Sequence, residues 1–373
     1  MHLFLRLLLL SSIAFFTLSG NVQAEDKLDP RIATLFSPPA ELAADLESYR
    51  SPLKFADGRE VKTVADWELR RKEILKTWHD LMGPWPPLVE KPKLEYLAEE
   101  RRDNLTQHHV RLEIAPGRMT DDAYLLVPDG EGPFPAVLVV YYDAKTGAGL
   151  GKEMRDFGYQ LARRGFVTLS LGGPAGRPVA ASEKPTLQPL SYNAYVAANC
   201  HTALANLPQV DAARIGVVGH SYGGKWAMFA SCLYDKFACG VWSDGGIVFD
   251  EKRGNVNYWE PWYLGLEAGQ TRQRGIPSEA SPRTGPYKQM METGRDLHEL
   301  HALMAPRPFL VSGGSEDHPQ RWRALNHAIA VNRLLGYENR VAMSNRRGHA
   351  PTEESNEQIY LFFEQALRKA EKN

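Results

Sequence analysis

Two rhythms of apolar and polar positions run along this chain. From Phe134 onward, short apolar runs alternate with longer segments in which apolar residues return every three or four positions. That is the mark of strand followed by helix, repeated, and of a mostly parallel central sheet flanked by helices on both faces. The runs predict strands at Ala136–Tyr142, Phe166–Leu171, Ile215–Val218, Cys239–Trp242, Phe309–Ser312 and Arg340–Met343. Helices are expected at Glu153–Arg163, Tyr192–Asn206, Tyr222–Leu233, Trp322–Leu335 and Glu354–Lys369, with Gly165 and Gly336 where helix-ending glycines belong. Ahead of them, Gln107–Ile114 and Ala123–Val127 read as strands joined through a turn at Pro116-Gly117, an antiparallel start to the same sheet. No internal repeat or low-complexity tract is visible.

The stretch from residue 25 to 106 reads as an amino-terminal helical extension packing on the domain that occupies 107–373. Thr63 is placed to cap a helix in which Val64, Trp67, Ile74, Leu75, Trp78, Leu81 and Met82 recur at helical spacing, and Gly83-Pro84 ends it. A stripe this apolar is expected to be buried as packing surface. Pro84-Trp85-Pro86-Pro87 then forms a stiff connector. Residues 1–24 have the composition of an export signal: Arg6, the apolar run Leu7–Leu18, and small residues at Val22-Gln23-Ala24 before Glu25-Asp26-Lys27. The apolar core is too short for a stable membrane span. The mature chain is therefore expected to be secreted or periplasmic, with no membrane association once the signal is cleaved.

Composition narrows the picture only a little. The 373 residues carry 44 basic and 45 acidic side chains, and this near-neutral balance argues against nucleic acid or an anionic membrane as the main partner. Three cysteines, Cys200, Cys232 and Cys239, are too few for a disulfide scaffold and match no metal spacing, so buried thiols are expected, with a Cys232–Cys239 bridge as the alternative. His108-His109 lies in a predicted strand, where neighbouring side chains face opposite ways and do not converge on one ion.

The most informative stretch is Arg214–Ala230, RIGVVGHSYGGKWAMFA. A short apolar strand runs into Gly219-His220-Ser221-Tyr222-Gly223 and then into a helix-prone segment. The Gly-x-Ser-x-Gly spacing suits a sharp strand-to-helix elbow, whose backbones come too close for a Cβ at the two glycines and which pushes the serine out at its tip. The backbone NH of Tyr222 and the positive end of the new helix face the same spot and are suited to hold a developing oxyanion. A second donor is expected from the turn after the first parallel strand, near Tyr142 or Asp143.

A serine hydroxyl is a poor nucleophile until an imidazole can take its proton, and the imidazole needs a carboxylate to fix its tautomer. Ser221 is followed by candidate partners at later strand ends, where function gathers in such sheets. His349, in Arg346-Arg347-Gly348-His349 before the final helix, is the expected base. His318 is read as a loop contact and His327 as a helix-surface residue. Two carboxylates compete for the acid: Asp317, in Gly313-Gly314-Ser315-Glu316-Asp317, is preferred, and Asp244, in Trp242-Ser243-Asp244-Gly245-Gly246, is the alternative. Glu316 is expected to be solvated. This chemistry requires no metal or organic cofactor.

These residues carry a family resemblance. Ser221 with Asp317 and His349 resembles the α/β-hydrolase pattern, over about Leu112–Leu367. Gly219-His220-Ser221-Tyr222-Gly223-Gly224-Lys225 with Asp244, the segment Asp296-Leu297-His298-Glu299-Leu300 leading to Ala305-Pro306-Arg307-Pro308, and Gly348-His349 are similar to secreted bacterial carbohydrate esterases, glucuronoyl esterases first and acetyl-xylan-esterase-like proteins next. The resemblance implies an α/β-hydrolase fold, cleavage of a carboxylic ester on a polysaccharide, and contact of Lys225 with sugar hydroxyls; it also implies a triad acid at the position of Asp244 in some members and of Asp317 in others. Where the glucuronoyl pattern has an arginine after the serine, this chain has Tyr222.

The span Asn255–Gly265, NVNYWEPWYLG, is an insertion beyond Asp244. Its Tyr258, Trp259, Trp262 and Tyr263 either form a platform for sugar rings or pack the insertion onto the sheet. Trp226, on the helix after the elbow, is expected in the core. A prolyl-oligopeptidase-type peptidase shares the triad order but carries a large propeller ahead of the hydrolase domain, for which this lead-in is too short. A non-catalytic carbohydrate-binding protein on the same fold is disfavoured by the complete Ser, Asp and His set.

Overall fold

Continuous apolar runs are what strands buried on both faces require, and the runs after Phe134 are mostly buried, with Tyr142 at the end of the first one exposed. A computed structural model describes residues 28–173 and 187–367. The expected leader at 1–24 and the end of the last predicted helix lie outside the described residues.

The strands are β1 (Leu94–Arg102), β2 (Leu105–Ala115), β3 (Arg118–Thr120), β4 (Ala123–Pro128), β5 (Phe134–Val140), β6 (Val167–Leu171), β7 (Val210–His220), β8 (Cys239–Ser243), β9 (Phe309–Gly313) and β10 (Val341–Asn345). They form one sheet in the order β1-β2-β4-β6-β5-β7-β8-β9-β10, with β3 beside β2. The pairs from β1 to β6 through β2 and β4 are antiparallel, and those from β6 through β5 to β10 are parallel. This is the α/β-hydrolase architecture that the resemblance implied. The helices are α1 (Val64–Met82), α2 (Ala144–Gly147), α3 (Phe157–Arg163), α4 (Pro189–Ala205), α5 (Tyr222–Leu233), α6 (Gly285–Glu292), α7 (His298–Ala302), α8 (Trp322–Leu334) and α9 (Glu353–Ala366).

Two differences from the sequence reading have physical causes. Strand β1 falls inside the stretch assigned to the extension; it is exposed on both faces and rich in Glu and Arg, so it shows no alternation of apolar and polar positions. Its charges suit an outermost strand, which must not pair with another chain. Helix α3 starts at Phe157 instead of Glu153, because the preceding residues form a turn in which Met154 takes φ +60° and its carbonyl accepts from Asn356 Nδ2 at 3.0 Å.

Most of the stripe expected of α1 packs against the rest of the fold, but its first member, Val64, is exposed. Thr63 and Asp66 exchange the two bonds of a capping box, and Trp67, Ile74, Trp78 and Met82 are buried, together with Arg70. The Arg70 guanidinium lies 3.7 Å from the fully buried Glu299 of α7. The segment before α1 is held by polar side chains of α7 and α8: His298 Nε2 meets the carbonyl of Arg50 at 2.6 Å, His327 Nε2 meets that of Leu46 at 3.1 Å, and Asn326 Nδ2 donates to the carbonyls of Leu42 and Asp45. His327 is thus a buried anchor, not the helix-surface residue expected, because the extension covers that face of α8. Cys200, Cys232 and Cys239 are free and buried, and burial pushes their thiols up. His108 and His109 face opposite sides: the first lies beside Tyr96, the second stacks on Tyr124.

Burial holds His298 neutral, pushing its pKa down to about 3. The native state therefore refuses a proton that the unfolded chain accepts below about pH 6.5, so the stability His298 contributes is present above that pH and lost as pH falls. The acidic neighbour Asp296, raised to about 7 by burial, acts in the opposite sense, so the informative quantity is the difference between the protein and a His298→Gln variant. Urea unfolding should show the wild-type advantage shrinking by about 1.4 kcal/mol per pH unit below pH 6. A difference that stays constant from pH 7 to pH 5 would contradict this.

Candidate active site

The site grows from the close contact between the elbow and its neighbouring strand. In-register pairing sets Gly219 of β7 beside Val140 of β5. A Cβ on Gly223 would fall 2.1 Å from the Val140 carbonyl oxygen, and one on Gly219 would fall 2.2 Å from that of Gly223. Glycine is the residue that fits both places. Between them Ser221 sits at φ +58°, ψ −114°, a strained conformation that a bond from its NH to the Ser243 carbonyl, 2.8 Å long, helps to hold. The strain turns the hydroxyl out beyond the end of the sheet.

His349, on the loop between β10 and α9, meets that hydroxyl: its Nε2 is 2.9 Å from Ser221 Oγ. Its Nδ1 is 2.6 Å from Asp244 Oδ2. The carboxylate at the imidazole is therefore that of Asp244, and the preference for Asp317 is corrected. Asp244 follows β8 directly at φ +47°, which turns its side chain across the sheet end; Asp317 lies four residues beyond β9, and its carboxylate is used elsewhere. Asp317 Oδ2 accepts from the NH of Gly246 at 2.9 Å, and Oδ1 from that of Ile247 at 2.6 Å. The second oxygen of Asp244, Oδ1, accepts from the NH groups of Gly314, Glu316 and Asp317 at 2.8, 3.1 and 2.9 Å. Glu316, expected to be solvated, is buried because its backbone takes part in this contact.

Several supports of the imidazole carried no signal of their own in the sequence. Arg346 donates to the His349 carbonyl at 2.8 Å and to the carbonyls of Ser312, Gly313 and Ala350, bracing the turn that presents the ring. His220 packs its ring 4.7 Å from that of His349 and reaches Ser243 Oγ with Nδ1 at 3.1 Å; burial, with the nearby His349, pushes its pKa down to about 2. The bracing arginine lies in the same Arg-Arg-Gly-His loop as the base, and the only available hint was that proximity.

The residues expected to supply oxyanion donors lie at the start of α5 and in the turn after β5. Tyr222 NH is at the first position of α5, where helical geometry leaves an NH without an intrahelical acceptor. Tyr142 and Asp143 follow β5 beside the elbow; Asp143 caps α2, and the exposed Tyr142 ring lies 4.9 Å from that of Tyr222. The Tyr222 hydroxyl accepts from Asn193 Nδ2 at 2.9 Å.

Of the residues suggested as sugar contacts, Lys225, Tyr258 and Trp259 are buried. Lys225 is buried, and its ammonium donates to the carbonyls of Gly245 at 2.6 Å and Asn255 at 3.3 Å over the rings of Tyr258 and Tyr263. Its charge ties the insertion to the Asp244 loop, and burial lowers its pKa to about 8. Tyr258 and Trp259 are fully buried, so they pack the insertion and offer no face to a sugar. Trp262 stays partly exposed with the Arg274 guanidinium 4.8 Å from its ring centre. Trp226 is in the core as expected, and His318 is a loop residue against Gln320. Among the described residues no cluster of His, Cys, Asp and Glu is arranged to hold a metal ion.

The chain has the α/β-hydrolase fold, with Ser221, His349 and Asp244 brought together at the carboxyl end of its parallel strands. Solved structures share this fold. The chain is similar to a glucuronoyl esterase from Solibacter usitatus, with a TM-score of 0.66 and 19% identity over 87% of this chain and 100% of that one. A carbohydrate esterase family 15 glucuronoyl esterase from Caldicellulosiruptor kristjansonii aligns at TM-score 0.61 and 20% identity, covering 89% and 93%. A putative acetyl xylan esterase from Bacteroides fragilis aligns at 0.53 and 14%, covering 85% and 87%. No family model and no curated protein sequence matches the chain.

The elbow contact sets a sharp expectation. Gly223→Ala drives a Cβ into a backbone carbonyl that has no room to yield. The variant should lose about 3 kcal/mol or more of stability, or fail to accumulate as soluble protein, as read by chemical denaturation and expression yield.

Proposed function

We propose that this protein is an exported serine esterase that cleaves a carboxylic ester on a carbohydrate. The observation that carries the reading is the single imidazole within hydrogen-bond reach of both a strained serine hydroxyl and a buried carboxylate. In this mechanism His349 Nε2 takes the proton of Ser221 as Oγ attacks the ester carbonyl, and Asp244 holds the Nδ1 proton and stabilises the imidazolium. The NH of Tyr222, with one from the Tyr142–Asp143 turn, stabilises the tetrahedral oxyanion. His349 then protonates the departing alcohol, and water releases the acyl group by the same steps in reverse order.

The carbohydrate assignment rests on similarity to glucuronoyl and acetyl xylan esterases, and export rests on the composition of residues 1–24. Among the described residues no helix is long and apolar enough to cross a membrane. The rim of the site is aromatic at Tyr142, and the residue after the nucleophile is a tyrosine where the glucuronoyl pattern has a cation. Acetyl, feruloyl and methyl glucuronate esters are therefore the panel that separates the acyl specificities.

Ser221→Ala should abolish hydrolysis of p-nitrophenyl acetate while leaving the circular dichroism spectrum unchanged, and a fluorophosphonate probe should label the wild type alone. Undiminished turnover by the variant would refute the mechanism. Asp244→Asn should retain the fold and lower kcat by about a thousandfold or more, since the imidazole then loses the partner that fixes its tautomer.

A further inference from the structure

The loops after β8 and β9 each carry one buried aspartate, and each aspartate is held by the backbone of the other loop. Asp244 Oδ1 collects the NH groups of Gly314, Glu316 and Asp317, while the Asp317 carboxylate collects those of Gly246 and Ile247. The carbonyl of Asp317 also accepts from Asn345 Nδ2 at 2.6 Å, which ties the clasp to β10 just before the loop of His349. The contact is close enough that a Cβ on Gly314 would lie 2.7 Å from Asp244 Oδ2.

The Asp244 loop needs such a clasp. Asp244 itself is at φ +47°, and the next two residues are Gly245 and Gly246, the latter at φ +77°. Glycines supply no side chain to hold this turn, so it is held through its backbone: Lys225 Nζ donates to the Gly245 carbonyl at 2.6 Å, the Tyr258 hydroxyl to that of Gly246 at 2.8 Å, and the Asp317 carboxylate takes the NH groups of Gly246 and Ile247. A displacement of half an ångström at Asp244 would lengthen its 2.6 Å bond to His349 Nδ1 beyond the range of a strong charge-assisted bond.

We propose that Asp317 is a positioning residue: by fixing the NH groups of Gly246 and Ile247, its carboxylate keeps the Asp244 side chain on the imidazole of His349. This rests on the hydrolase reading above. Asp317 acts through Asp244 and does not touch His349. Lys225 on α5, Tyr258 of the insertion, Arg321 after β9, Arg346 after β10 and Asp244 are the ionisable groups that face it. Burial, reinforced by the charge of Asp244, pushes Asp317 up to about 6.

A double-mutant cycle tests this, with kcat normalised to active sites titrated by a fluorophosphonate so that partial misfolding does not enter. Asp317→Asn, and Asp317→Ser as a smaller replacement, should lower kcat by about thirtyfold or more and leave KM within about twofold. Asp244→Asn combined with Asp317→Asn should be no slower than Asp244→Asn alone, within about threefold, because the second residue has nothing left to position. Losses that multiply in the double variant would overturn the proposal, as would a kcat in Asp317→Asn within twofold of wild type or a loss carried by KM. Activity that survives Ser221→Ala would instead sink the hydrolase reading itself, so the two failures are distinct.

Discussion

The site depends on a backbone contact more than on any side chain: β7 and α5 meet against the end of β5 with no room for a Cβ at Gly219 or Gly223. This contact forces the residue between them into a left-handed conformation and points its hydroxyl away from the sheet. The strain is tolerated because β7 is paired on both sides, with β5 and β8, and because α5 is buried throughout.

Around this rigid centre the polar groups are arranged in layers of decreasing exposure. Ser221 and His349 are half-buried, Asp244 is fully buried, and behind Asp244 lie Asp317 and the ammonium of Lys225. Buried charges are costly unless paired or hydrogen-bonded, and here each is met chiefly by backbone groups of neighbouring loops. Such partners are fixed by the fold and lose no side-chain freedom when they engage. The aromatic insertion contributes to the same arrangement, closing over Lys225 with Tyr258 and Tyr263.

Much of the architecture was legible because strands buried on both faces must be written as apolar runs. The ends of β5, β6, β8 and β9 fell within two residues of the expected positions, and α5 fell where expected. Strand β1 was not legible, since an exposed edge has no face to bury and its charges mimic a loop. His327 and Glu316 were misread as exposed because the segments that cover them, the extension and the Asp244 loop, are distant in the chain.

By itself the sequence determined the elbow, its serine and its order relative to an acid and a histidine, because glycine spacing and strand periodicity are local properties of the chain. It left two aspartates at two strand ends, and local pattern favoured Asp317, the one that does not reach the imidazole. Tertiary structure decided between them: the left-handed turn at Asp244 directs its carboxylate across the sheet end to His349, while the NH groups of Gly246 and Ile247 occupy that of Asp317. It likewise decided that Lys225, Tyr258 and Trp259 pack inward, since whether a polar or aromatic group meets solvent depends on which distant segment covers it.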